Sequence, residues 1–257
     1  MRKSIMLIAV MLLVVLLVPG CFGIITGSGN LETQEFDYSD FTRVEVGYAL
    51  EVEVIQSSSF SISITADDNI FDYMDVSKSG ETLKIRLKSS YSYTSYTAIA
   101  EITMPELYRL DFSGATHGSV QGFSSSHDFG LELSGASSLD IADMAAGGIE
   151  FEVSGASHIT GNITADDAEF DISGASSVTL SGSANDLDAN VSGASRLEIE
   201  DFPVHNADVN LSGASSGTIN LDGTLDANLS GASHLYYIGE PTLGSLDISG
   251  GSTIGEK

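Results

Sequence analysis

Apolar and polar residues alternate with a period of two along most of this chain, and one short phrase punctuates the alternation. The phrase is Ser-Gly-Ala-Ser. It begins at Ser113 (where Thr116 closes it), Ser134, Ser154, Ser173, Ser192, Ser212 and Ser230, and returns as Ser-Gly-Gly-Ser at Ser249. Successive copies lie 21, 20, 19, 19, 20, 18 and 19 residues apart. Just before the first Ser stand Phe112, Leu133, Val153, Ile172, Val191, Leu211, Leu229 and Ile248, and two residues earlier Leu110, Leu131, Phe151, Phe170, Ala189, Val209, Ala227 and Leu246. Between these two columns lie Asp111, Glu132, Glu152, Asp171, Asn190, Asn210, Asn228 and Asp247. Such alternation marks a strand with one buried face. After the phrase it resumes, with Leu139, Ile159, Val178, Leu197, Leu235 and Ile254 in one column and Val120, Ile141, Leu180, Ile199 and Ile219 two residues on.

Each unit therefore reads as two short strands joined at the phrase, where Gly permits a sharp bend and small neighbours let coils stack closely. About 19 residues leave no room for a helix, a strand and a return, and a propeller blade needs roughly 40. The architecture that fits is all-β: a parallel β-helix, or β-solenoid, with coils of about 19 residues. Eight turns at roughly 4.8 Å per rung make a rod about 38 Å long.

The stretch from Phe41 to Leu87 is strand-rich without the phrase. Val44-Glu45-Val46, Leu50-Glu51-Val52-Glu53-Val54, Phe60-Ser61-Ile62-Ser63-Ile64 and Leu83-Lys84-Ile85-Arg86-Leu87 all alternate. Ala66-Asp67-Asp68-Asn69 and Ser79-Gly80-Glu81 read as turns. Ser89 to Thr97 breaks the pattern with Tyr91, Tyr93 and Tyr96 among hydroxyls. It reads as an edge strand leading into Ala98-Ile99-Ala100-Glu101-Ile102, with an exposed adhesive or sugar-stacking face as the alternative.

At the start, Met1-Arg2-Lys3 is a basic head, Ser4 to Val18 is almost wholly apolar, and Pro19-Gly20-Cys21 follows. This is the pattern of a secretory signal. Val18-Pro19-Gly20-Cys21 resembles a prokaryotic lipobox, which implies lipidation at Cys21. The other readings are an uncleaved membrane anchor, or an ordinary signal with a chance Cys. Cys21 is the only Cys, so no intramolecular disulfide forms. The expected organisation is a signal peptide over 1–20, a lipid-anchored tether over 21–35, an N-terminal β-rich part of the solenoid over 36–105 and the repeat solenoid over 106–257. The tether rests on a Gly-, Ser-, Thr- and Asn-rich stretch, Phe22 to Gln34.

Charge narrows the function. The whole chain carries −26, and loss of Arg2 and Lys3 with the signal takes it to −28. From Glu106 onward, 23 Asp or Glu face Arg109, Arg196 and Lys257, a net of −20. That excludes a nucleic-acid groove and argues against a polyuronate lyase, which needs cations along one face. The column Asp111, Glu132, Glu152, Asp171 offers carboxylates at the separations a glycosidase uses. It is a repeat feature that turns into Asn190, Asn210 and Asn228, so it reads as a solvated face and ladder. Asp188, Asp208 and Asp226 form a second acidic column, a weak signal for calcium. His117, His158 and His234 share a column on distant turns, and His127 and His205 lie elsewhere. No catalytic, cofactor or metal residue is assigned, and no cofactor is expected.

The chain also resembles the autotransporter-adhesin head GIN domain family, a domain of unknown function. The resemblance rests on Phe41-Thr42-Arg43-Val44-Glu45-Val46, Val52-Glu53-Val54-Ile55-Gln56, Ala66-Asp67-Asp68-Asn69-Ile70, Gly80-Glu81-Thr82-Leu83-Lys84-Ile85, and the coil type Leu110-Asp111-Phe112-Ser113-Gly114-Ala115. It covers roughly Phe36 to Glu256. It implies a right-handed β-helix on an exported protein, often a lipoprotein, without established activity; crossover bias favours the same hand. The expectation is a non-enzymatic protein of the cell envelope on its periplasmic or extracellular face. A lipid anchor or the N-terminal segment holds it to a membrane, and its role is adhesion or envelope assembly with surface glycans or other envelope proteins as partners. A carbohydrate-binding module or carbohydrate-active enzyme is the alternative, and a structural spacer a further one.

Overall fold

A computed structural model describes residues 23–257. It is nearly all β, 63% strand and 3% helix, and it winds as a β-solenoid with parallel strands. The expected signal segment, 1–20, and Cys21 lie outside the described residues. Among the described residues no helix is long and apolar enough to cross a membrane.

Each coil gives one strand to each of two long sheets. The strand before the phrase enters the first sheet, which stacks Arg109–Ser113, Phe129–Leu133, Gly148–Val153, Asp167–Ile172, Asp186–Val191, Asn206–Leu211, Thr224–Leu229 and Thr242–Ile248 in parallel. The strand after the phrase enters the second, from His117–Gln121 to Thr253–Glu256. Pairing is in register, so equivalent residues stack: Asp111 on Glu132, Glu132 on Glu152, Glu152 on Asp171. The inward residues of both sheets form one continuous core that includes Phe112, Phe129, Phe151, Phe170, Ile172 and Leu211. Phe129, Phe151 and Phe170 make a short aromatic stack, with centroids 6.1 and 5.4 Å apart.

The phrase turns the corner between the sheets. Its Gly has φ near +80°, as at Gly174 (+79°), and a side chain there would run into the carbonyl oxygen of Gly155 one coil below. The ladder continues around the bend, for Ala175 N–H donates to Gly155 at 2.8 Å. The closing Ser is buried: Ser137, Ser157, Ser176, Ser195, Ser215 and Ser233 are all at most 2% exposed. Ser137 Oγ donates to the Ser134 carbonyl at 2.9 Å and Ser157 Oγ to that of Ser154 at 2.8 Å. A buried hydroxyl is tolerated where it finds an acceptor, three residues back in these coils and, for Ser215, at the Val191 carbonyl one coil below at 3.1 Å.

At the N-terminal end, stacking order departs from chain order. Arg43–Gly47 and Glu51–Gln56 form a coil directly under the first phrase coil. Gly47-Tyr48-Ala49-Leu50 takes the place of the phrase, with Tyr48 (φ +70°) and Ala49 (φ +55°) in left-handed geometry. The coil of Thr82–Leu87 and Ala98–Met104 stacks beneath that one, although it follows it in the chain. Antiparallel strands then close the end: Met74–Ser79 on the first sheet, Ser61–Asp67 and Leu31–Glu35 on the second. A 3₁₀ turn, Asp68–Tyr73, crosses between the sheets. Charged outer strands protect an edge from further pairing, and these two carry Glu32, Glu35, Asp75 and Lys78.

The opposite end is open. Thr242–Ile248 is exposed along its whole length, with Leu243, Leu246 and Ile248 37–46% exposed.

One expectation needs correction. The part of the 21–35 tether within the described residues is built into the fold. Ile24–Thr26 pairs in parallel with Ser92–Thr94, and Leu31–Glu35 pairs antiparallel with Ser61–Asp67. Those partners lie some 30–70 residues away in the chain.

Candidate functional site

The outer surface of the first sheet is an acidic array. Lys84, Glu45, Asp111, Glu132, Glu152 and Asp171 share a column that continues as Asn190, Asn210, Asn228 and Asp247. Its N-terminal end is neutralised in pairs: Lys84 meets Glu45, and Arg109 bridges Asp111 at 2.7 Å and Glu132 at 2.9 Å. Burial raises the Asp111 carboxyl above its ordinary value; Arg109 opposes the shift, and Glu132 and Glu45 add to it.

Asp188, Asp208 and Asp226 do form the second acidic column, and Glu150 and Glu169 extend it. All five stand four residues before the opening Ser of their coil, so that offset carries the whole column. Asp188 is pushed up by burial and then by Asp208 and Asp171. Like charges one rung apart disfavour ionisation.

These carboxylates project from a sheet beside two shallow, open grooves. One groove is lined by Asn190, Asn210 and Asn228 with Ser173, Ser192 and Ser212; the other by Glu150, Glu169 and Asp188. Among the described residues, no group of three or more His, Cys, Asp or Glu converges to hold a metal ion. The array suits multivalent polar contact along a rod more than enclosure of a single sugar ring.

The histidine column has a feature beyond the shared offset. Along the second sheet one outward column runs His117, Ser138, His158, Ser177, Arg196, Ser216, His234, Thr253. Large basic or imidazole side chains alternate with small hydroxyls. His117 Nδ1 bonds Ser138 Oγ at 2.7 Å and His234 Nδ1 bonds Thr253 Oγ1 at 2.8 Å; His158 meets Ser177 in the same way. Each His thus serves the ladder, two rungs from the next large side chain. His205 lies apart and pairs with Asp222 at 2.8 Å.

The tyrosine stretch is folded rather than free. Tyr73 packs against Tyr91 and Tyr93 at 4.8 and 6.2 Å, and Tyr93 against Tyr96 at 5.8 Å. Tyr96 Oη donates to the carbonyls of Tyr48 and Ala49, 2.9 and 3.0 Å away, so it steadies the left-handed corner that replaces the phrase. Burial, then Tyr91, Tyr73, Tyr96 and Tyr48, raise the Tyr93 phenol above its usual value.

Three solved structures share this fold. A "putative adhesin" from Parabacteroides distasonis ATCC 8503 superposes with a TM-score of 0.84 at 20% identity, covering 91% of this chain and 100% of its own. A "putative adhesin" from Parabacteroides merdae ATCC 43184 gives 0.79 at 20% identity, with 91% and 99% covered. A "putative lipid binding protein" from Parabacteroides distasonis ATCC 8503 gives 0.76 at 21% identity, also with 91% and 99% covered. At such identities the likeness shows the fold. No curated protein matches the chain. The family model described as "Putative auto-transporter adhesin, head GIN domain" matches residues 40–241. That match spans most of the sequence and the coils just described, and the chain belongs to this head GIN domain family.

Proposed function

We propose that this protein is an exported, membrane-held adhesin of the cell envelope that presents its outward ladders to surface glycans or other envelope proteins without chemically altering them. The observation that carries the reading is the in-register array of Asp, Glu, Asn and Ser on the first sheet, bordered by open grooves. Such a surface offers many equivalent weak polar contacts, and multivalency turns these into useful avidity. Support for export comes from the basic head, the apolar run and Cys21 in the sequence, and from membership of an adhesin family. Names given to structural neighbours, adhesin and lipid binding protein, describe binding rather than catalysis.

The test uses cells that express the full chain. They are expected to incorporate an alkyne-labelled fatty acid into the protein, to lose that label with Cys21→Ala, and to adhere to immobilised envelope glycans until surface protease removes the protein. Adhesion equal to that of cells lacking the protein would reject the adhesin reading.

The open end favours a second role in envelope assembly. Leu243, Leu246 and Ile248 sit exposed on an edge strand paired on one side only, the arrangement from which a sheet pairs with another chain. A second copy meeting this end would continue both sheets. Light scattering should then show size rising with concentration and falling with Leu246→Lys.

A further inference from the structure

The entry of the chain into the fold is short and bolted down. Gly23 O accepts from Ser92 N–H at 3.0 Å, and Gly27 N–H donates to Thr94 O at 3.3 Å, so Ile24–Thr26 is clamped along the tyrosine stretch. On its other side the buried Asp67 carboxylate accepts from Gly29 N–H at 2.6 Å and Thr97 N–H at 2.7 Å. Asn69 adds two bonds, donating to Thr26 O at 2.9 Å and accepting from Ser28 N–H at 3.0 Å. Ile24 follows Cys21 by three residues, and three extended residues span at most about 11 Å. Whatever holds Cys21 therefore lies within about 11 Å of this corner, and an anchor ending at Val18, six residues away, within about 22 Å.

The corner carries the side chains that a lipid–water boundary selects. Ile24 is 74% exposed and Tyr48 40%; Tyr91, next to Ile24's strand partner Ser92, packs on Tyr73, and both of these rings are partly exposed. Lys88 stands over Tyr73 with Nζ 6.0 Å from the ring centroid. Tyrosine places an apolar ring and a polar tip at such a boundary, and lysine reaches its charge outward past the hydrocarbon. The coils beyond offer the opposite: from Glu106 to Lys257 the chain holds 23 acids against three cations.

We propose that the corner formed by Ile24, Tyr48, Tyr73, Tyr91 and Lys88 rests in the headgroup layer of the membrane that holds the chain. The closed N-terminal end then lies against the bilayer, and the phrase coils project away from it. This rests on the membrane-held reading above. On this arrangement the adhesive ladders are displayed at a fixed angle, and their distance from the membrane is set by the number of coils.

The sequence contains no Trp, so one introduced indole is a unique reporter. The full chain carrying Tyr91→Trp is reconstituted into phosphatidylcholine vesicles with or without lipid brominated near the headgroup. Tyr236→Trp, at an exposed site in a late coil, is the comparison. The expected result for the Tyr91→Trp protein is a blue-shifted spectrum and a marked loss of indole fluorescence with brominated lipid. Emission from the Tyr236→Trp protein should be unchanged. If the Tyr91→Trp protein floats with vesicles while its indole stays unquenched, the proposal is overturned and the membrane-held reading stands. Quenching in both variants overturns the upright orientation. Protein that does not float with vesicles overturns the membrane-held reading and the proposal with it. Should Tyr91→Trp lose its cooperative melt, Tyr48→Trp reports on the same corner, with the same results deciding.

Discussion

Each letter of Ser-Gly-Ala-Ser has a separate physical task. The Gly combines a left-handed φ with close approach to the coil below, so any side chain is penalised twice. Gly174→Ala should lose at least the roughly 1–2 kcal/mol that left-handed geometry costs an L-residue, with the clash against Gly155 added. Ala175→Ser, at an exposed position, should stay within about 0.5 kcal/mol of the parent. Urea unfolding of the two variants checks this, and equal midpoints would contradict the assignment. The glycine's role was legible from residue type. The buried closing Ser was not, because a hydroxyl reads as an outward residue unless its acceptor is known. Here that acceptor is the carbonyl of the phrase's own first Ser, as with Ser157 Oγ and Ser154 O. Ser157→Ala should cost about 1 kcal/mol.

Among elements, the columns were legible and the ends were not. A period of 18–21 residues returns each offset to the same place on the next rung, so Asp111, Glu132, Glu152 and Asp171 were already in line on paper. No local pattern tells that Thr82–Leu87 stacks beneath Arg43–Gly47, or that Met74–Ser79 runs antiparallel as an end strand. Those are choices of distant pairing. Likewise Ile24–Thr26 read as linker because its partner strand lies near Tyr93.

The stacked carboxyls give a pH dependence whose sign is fixed. Asp111 and Asp188 have folded-state values raised above the ordinary one. Just above the ordinary carboxylate value the folded chain therefore binds more protons than the unfolded chain, and stability falls as pH rises through that window. The contribution of this face should make the melting temperature higher near pH 4, at the ordinary carboxylate value, than near pH 7. Asp188→Asn should raise the neutral value and flatten the difference; a melting temperature insensitive to that change would contradict the ladder repulsion. Inside the same coils, Ile172→Glu places a charge in a dry core and should cost several kcal/mol, about what burying an unpaired polar or charged group demands. An unchanged melting temperature would remove Ile172 from the core.

As a whole molecule the protein is a rod with unlike ends and a plain interior, and its chemistry lies on its outer columns. The N-terminal end is closed by antiparallel strands and bears the tyrosine corner; the other ends in an exposed strand with Leu243, Leu246 and Ile248. Tyr96 ties the tyrosine stretch to the corner at Tyr48 and Ala49. Tyr96→Phe should therefore loosen that end alone, and hydrogen exchange should rise near Tyr48 while the coils after Glu106 keep their protection. The class of fold followed from the repeat. The asymmetry of the ends followed only from the structure, because the residues that make it are single occurrences in a chain otherwise governed by repetition.

Binding without turnover is tested on intact glycans. The purified full chain is incubated with a panel of cell-surface and envelope polysaccharides, with calcium and with chelator, and both retention and released sugar are recorded. The expected result is retention of at least one glycan with no soluble product, weakened by Ala at Asn190, Asn210 and Asn228. Released sugar would contradict it and move attention to the carboxylates of Glu132, Glu152 and Asp171.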